Sequence, residues 1–146
     1  MNISGIKIGL CTFFGMVGSI IVDLFGGWSE DMATLIIFMV VDYVMGIVVA
    51  GVFKNSNKSK TGSLDSRIGW KGLCKKCTTF LFVILAKRLD ILLETNYIWT
   101  ATVIGFITNE AISIIENAGL MGVPLPNAIT KAIEVLREEN ENGNNF

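Results

Sequence analysis

Apolar positions in this chain come in long runs, not in an alternating or half-exposed pattern. A helix that crosses a bilayer needs about 20 mostly apolar residues. Four segments answer to that, at about residues 5–22, 32–53, 73–93 and 97–120. The first holds 15 uncharged residues between Lys7 and Asp23. It has neither the strongly basic start nor the A-x-A-like site of a cleaved signal peptide, so a retained helix is expected. The second is the longest and is broken only by Asp42. The third is the weakest, with an uncharged core of ten residues from Cys77 to Ala86, followed by Lys87, Arg88 and Asp90. Its basic pair can snorkel to the far interface. Alternatively the segment lies partly in the interface, which leaves three spans. The fourth is interrupted by Glu110 and Glu116.

The pattern changes after Pro124 and Pro126. Asn127 suits a helix N-cap, and Ile129, Ile133 and Leu136 then recur on one helical stripe. Glu134, Arg137 and Glu138 fill the other side. A short amphipathic helix is expected, lying on the membrane surface or on a partner, with a frayed polar end over 140–146. The expected fold is therefore all-α and integral to the membrane: about four transmembrane helices (three if the third fails) plus a short C-terminal amphipathic helix. Residues 1–123 form the membrane domain, with a basic loop at 54–72, and 124–146 form a cytoplasmic helix and tail. No internal repeat is visible, so an inverted-repeat transporter gains no support.

Composition agrees with this reading. The chain has 146 residues, 51% of them hydrophobic and only 17% charged, with a mean hydropathy of +0.57. Soluble domains average about 25% charged residues. The net charge of −1 hides an asymmetry. Between residues 54 and 76 stand seven basic residues, Lys54, Lys58, Lys60, Arg67, Lys71, Lys75 and Lys76, against one acid, Asp65. Such a cluster fixes topology by facing the cytoplasm, and anionic lipid headgroups are its natural contact. The stretch between the first two spans holds Asp23, Glu30 and Asp31 without a base and so belongs outside. Trp28 and Trp99 fall near outer ends, where aromatics favour the interface. Four spans place both termini in the cytoplasm. Aromatics are not interleaved with the basic residues, so nucleic acid is not an expected partner.

The chemistry of an enzyme is missing. The chain has no histidine, which excludes Ser-His triads, and no glycine-rich phosphate loop. Its three cysteines include a C-x-x-C pair, Cys74 and Cys77, without the further ligands of a structural zinc site. They are read as small apolar filler. No catalytic residue, metal or cofactor is expected.

Three features do carry information. Cys11, Gly15 and Ser19 repeat four apart in the first span, and Gly46 and Ala50 in the second. Small-xxx-small faces let helix backbones approach closely in lipid, so these are candidate oligomerisation faces. In the fourth span Thr102, Gly105, Asn109, Ser113 and Glu116 fall within an arc of about 80°, at 100° per residue. Glu110 and Asn117 widen that arc. A polar stripe through a membrane helix must meet protein or water, so it lines a pore or pairs helices. Asp42 and Glu110 lie inside spans, where a carboxylate costs about 2.5–3.5 kcal/mol on insertion scales. Each must be neutral, paired or facing water. Arg88 approaches Asp42 in depth, whereas Glu110 has no obvious basic partner.

Three stretches together resemble a known family. They are D-Y-V-M-G-I-V-V-A at Asp42 to Ala50, S-R-I-G-W-K-G-L-C-K-K at Ser66 to Lys76, and N-E-A-I-S-I-I-E-N-A-G-L-M-G-V-P-L-P at Asn109 to Pro126. They resemble the toxin-secretion and phage-lysis holins of Gram-positive phages and prophages, across roughly residues 33–138. The family pattern falls on Asp42, Tyr43 and Gly46, on Ser66, Arg67, Gly69, Lys71 and Gly72, and on Asn109, Glu110, Ser113, Glu116, Asn117, Gly122, Pro124 and Pro126. The C-x-x-C pair departs from it, since family members usually carry aliphatics there. The resemblance implies a protein that accumulates in the bacterial cytoplasmic membrane, assembles into homo-oligomers and opens lesions. Endolysin or a large toxin crosses as cargo, and the host lyses or releases the cargo. A small transporter or ion channel using Asp42 or Glu110, and a membrane scaffold recruiting a partner, are the competing readings.

Overall fold

The computed structural model describes residues 3–56 and 66–143. Five α-helices make up the described chain: α1 (Ile3–Leu24), α2 (Glu30–Val48), α3 (Ser66–Leu92), α4 (Ile98–Leu120) and α5 (Asn127–Gly143). A π-helical turn, Val49–Phe53, continues α2. Among the described residues no strand is present.

The connections follow from local chemistry. α1 ends on Gly26 and Gly27, both left-handed at φ 90° and 96°. The Gly27 amide reaches back to the Val22 carbonyl, a glycine-dependent way to close a helix. Ser29 caps α2, its Oγ accepting from the Met32 amide at 3.2 Å. Glu30 and Asp31 in the first turn oppose the positive end of the helix dipole. Lys54 stops the π turn in a left-handed conformation. α4 closes in the same manner as α1, at Gly122.

α2 and α4 point the same way. Trp99, at the start of α4, packs on the cluster that contains Met32, at the start of α2. At their other ends the Asn55 side chain donates to the Leu120 carbonyl. α3 therefore runs antiparallel to both, since it connects the end of one to the start of the other. The core lies where the three meet, with Leu35, Val83 and Val103 fully buried beside Met32, Met39 and Ile107.

Three helices are long and apolar enough to cross a membrane: residues 4–24, 30–53 and 98–120. α3 is not among them. It is a continuous helix of 27 residues, but Arg67, Lys71, Lys75, Lys76, Lys87, Arg88 and Asp90 punctuate it. The weakness expected of the third span is thus one of composition and not of helix formation. Within the bundle α3 runs back from the end of α2 to the start of α4, alongside both.

Three expectations are corrected. Residues 66–72, read as the end of the basic loop, form the first two turns of α3. The C-terminal helix is longer than expected, at 17 residues, and takes in most of the tail read as frayed. Its first turn hangs from the Pro126 carbonyl, which accepts from the amides of Ile129 and Thr130, so Pro126 and not Asn127 precedes the helix. Residues 144–146 lie outside the described part.

Candidate functional site

Asp42 stands near the middle of the α2 segment and is 9% exposed. In a bilayer such a carboxylate needs a partner, and the fold provides two. Lys76 of α3 extends its ammonium to Asp42 Oδ2 at 2.9 Å. The Asn117 amide of α4 donates to Asp42 Oδ1 at 2.9 Å. The same Lys76 ammonium also pairs with Glu110 of α4. Three helices therefore meet on one ammonium, two carboxylates and one carboxamide. The three charged side chains are only 11–13% exposed.

The helical repeat explains why these residues converge. Glu110 and Asn117 lie seven apart, two turns along one face of α4, and both turn towards α2 and α3. Asn109 and Glu116 form the same spacing one position back, about 100° around the helix, and both are exposed. The polar stripe expected on α4 is thus divided. One edge is satisfied inside the bundle and the other is open. Thr102 and Ser113 are half-buried, as is Gly105, and the Thr102 hydroxyl donates to the Ile98 carbonyl.

Lys76 was expected to face headgroups with the other basic residues. It points inward instead, because two carboxylates at its own level leave no cheaper place for its charge. Arg88 does not approach Asp42 and is exposed. The signal for the true partner was present: a lysine inside one span opposite an acid inside each of two others. Lys71 and Lys75 are exposed on α3, as is Lys54 at the end of α2. Arg67 is exposed as well and is engaged with a neighbour. Lys58 and Lys60 lie outside the described residues.

A second polar centre was not read from the sequence. Asp90, buried near the end of α3, accepts from the Thr95 hydroxyl at 2.7 Å and from the amides of Ile98 and Trp99 at 3.1 and 2.8 Å. It satisfies the first free amides of α4, which has no side-chain cap of its own. The fold thereby binds the α3–α4 turn into a rigid corner.

The small-residue faces divide too. Ala50 is buried within the subunit and Gly46 is half-buried. Cys11, Gly15 and Ser19 are exposed on α1, whose membrane-length window contributes no buried residue. Cys74 and Cys77 are free and exposed. An apolar groove of about 390 Å³ lies between the end of α1, the start of α2 and α3, lined by Ile21, Phe25, Trp28, Met32 and Phe80 among others.

Comparison with known proteins bears directly on this arrangement. The profile of the Bacteriophage holin family matches residues 19–138, which span α2 to α5 and every member of the Asp42 network. A probable holin of Bacillus phage phi105 is 31% identical over 142 residues, covering 97% of this chain and 90% of that protein. An uncharacterized protein of Halalkalibacterium halodurans is 38% identical over 120 residues, covering 78% of this chain and 83% of its own. No solved structure matches.

Proposed function

This chain belongs to the bacteriophage holin family, a multi-pass protein of the cytoplasmic membrane, and from that premise we propose that it assembles there and opens lesions through which an endolysin or a large protein toxin crosses. The observation that carries the reading is the divided polar face of α4. Asp42, Lys76, Glu110 and Asn117 satisfy one another inside the subunit, while Asn109 and Glu116 remain exposed. A subunit of this kind hides the charges of its central network from lipid, and it holds in reserve the polar lining that a water-filled opening needs.

The mechanism follows from that balance. In the closed state Lys76 ties α3 to α2 and α4. In the lesion the α4 stripe faces water, which hydrates the same groups. Two satisfied arrangements differ by a small free energy, so assembly size or membrane potential tips the balance. An enzyme is not called for, since the family points to a membrane protein that does no chemistry of its own.

The test is induced expression in a bacterium, with and without a cytoplasmic endolysin, following turbidity and membrane potential. Abrupt loss of potential, with lysis only when the endolysin is present, is expected. Sustained growth with confirmed membrane insertion refutes the reading, and coupled ion flux without passage of large dyes transfers it to a transporter or channel. Asn109→Leu and Glu110→Leu are expected to shift the moment of lysis. Unchanged timing at equal expression removes the stripe from the mechanism.

A further inference from the structure

Two charged side chains are left over once the Asp42 network is complete. Lys75 on α3 and Glu116 on α4 are both exposed. Each stands one residue from a member of the network, Lys75 beside Lys76 and Glu116 beside Asn117. Both of those neighbours hold Asp42, so Lys75 and Glu116 sit at about the same level along the bundle. A step of one residue turns about 100° around a helix, which carries the neighbour of an inward-facing residue outward. Among the described residues neither side chain has an ion-pair or hydrogen-bond partner. Each belongs to a strip. Lys71, one turn from Lys75, is also exposed and basic, and Asn109, two turns from Glu116, is also exposed and polar. At the level of Asp42 the subunit thus exposes an uncompensated positive charge on α3 and an uncompensated negative charge on α4. Both are unfavourable against lipid.

We propose that a second copy of this chain covers these strips, with Lys75 of one subunit paired to Glu116 of the next. An anionic headgroup satisfies the lysine strip but repels Glu116, whereas another copy offers both signs at the level each requires. The two strips lie on different helices and are unlike. Opposite charges can pair across a two-fold or a head-to-tail contact. The proposed contact is head-to-tail, in which each subunit uses Lys75 on one neighbour and Glu116 on the other. Such contacts propagate into rings or open arrays and do not stop at a dimer. A two-fold contact centred on one strip alone sets like charges together, and one that joins both pairs stops at a dimer. The proposal deepens the lesion-forming reading and rests on it for its purpose, because a lesion wide enough for a folded protein needs an assembly that propagates.

The test uses the full chain in membranes, with Cys11, Cys74 and Cys77 replaced by serine. With K75C and E116C in one chain, oxidation is expected to give a ladder of dimers, trimers and higher species. Two chains carrying one substitution each, expressed together, are expected to give dimers only, and either alone none. In the native background, K75E or E116K is expected to reduce the assembled fraction in detergent sedimentation about tenfold, as expected for a like-charge contact. The double variant K75E/E116K is expected to restore it. Absence of a 75–116 bond in membrane-inserted protein overturns the proposal. So does self-crosslinking of K75C alone, and so does an effect of charge at 75 with none at 116, which assigns Lys75 to headgroups. Endolysin-dependent lysis without a ladder removes this interface and leaves the lesion reading standing. A ladder without lysis does the reverse.

Discussion

Lys76 joins two largely buried carboxylates of the bundle. Its ammonium lies between Asp42 and Glu110, so its removal leaves two carboxylates facing each other with only Asn117 to help. Breaking a buried ionic group by deleting one partner costs about 3–5 kcal/mol, whereas replacing the whole group by apolar side chains is often neutral. The Lys76→Met variant is expected to lose on the order of 3 kcal/mol, towards the lower end because the group is not fully sealed. Asp42→Leu/Lys76→Met/Glu110→Leu is expected to recover most of it. Thermal unfolding in detergent, followed by circular dichroism, measures both. Gly26 gives a sharper local case. Its φ is +90°, and a Cβ there meets Lys87 Cε at 2.8 Å. Gly26→Ala is expected to destabilise by about 1–2 kcal/mol from the left-handed backbone alone. Shortening Lys87 to alanine relieves the clash but not the backbone part, so the double variant recovers only partly.

α3 differs in kind from its neighbours. α2 and α4 are held in lipid by their own apolar length, whereas α3 is held by what it touches. Val83 and Ala86 pack into the core, Lys76 joins the central network, and Asp90 binds its end to the start of α4. Asp90→Ala is expected to free the amides of Ile98 and Trp99, and hydrogen exchange at those two positions is expected to quicken. Exchange over the second half of α4 is expected to stay unchanged. A general acceleration along α4 shows that the corner supports the helix as a whole. α5 packs on α4 at the edge of this core, with Ile133 and Leu136 half-buried and Ile129 and Val135 exposed beside Glu134 and Glu138.

The parallel course of α2 and α4 determines the topology of the whole chain. If α3 crosses, the turns at Trp28 and Glu94 share one side of the membrane, and Lys54 and Val123 share the other. The basic cluster assigns the second side to the cytoplasm. Single cysteines at these four positions, in a chain otherwise free of cysteine, are expected to react with an impermeant maleimide in whole cells at 28 and 94 only. Labelling at 123 with protection at 94 shows that α3 lies on the surface. That outcome is incompatible with α2 and α4 packing in parallel.

Much of this protein was written in one dimension. Long apolar runs mark α1, α2 and α4 because a membrane span is a local demand on composition, met or failed by 20 consecutive residues. The helix that follows the two prolines, the isolated carboxylates and the polar residues of α4 were legible for the same reason. The partners were not. Arg88 looked suited to Asp42 by depth alone, yet Lys76 reaches it, because the α3 register brings Lys76, Asp42 and Glu110 to one point. Asp90 read as a charge interrupting a weak span and proved to cap the next helix across a turn. The α4 stripe read as one face and was split into a satisfied edge and an open one. Sequence alone determined which segments prefer lipid and which side groups are too polar for it, since transfer free energy belongs to each residue. The tertiary structure decided how those groups are satisfied, since pairing depends on the rotation and register of helices that are distant in the chain.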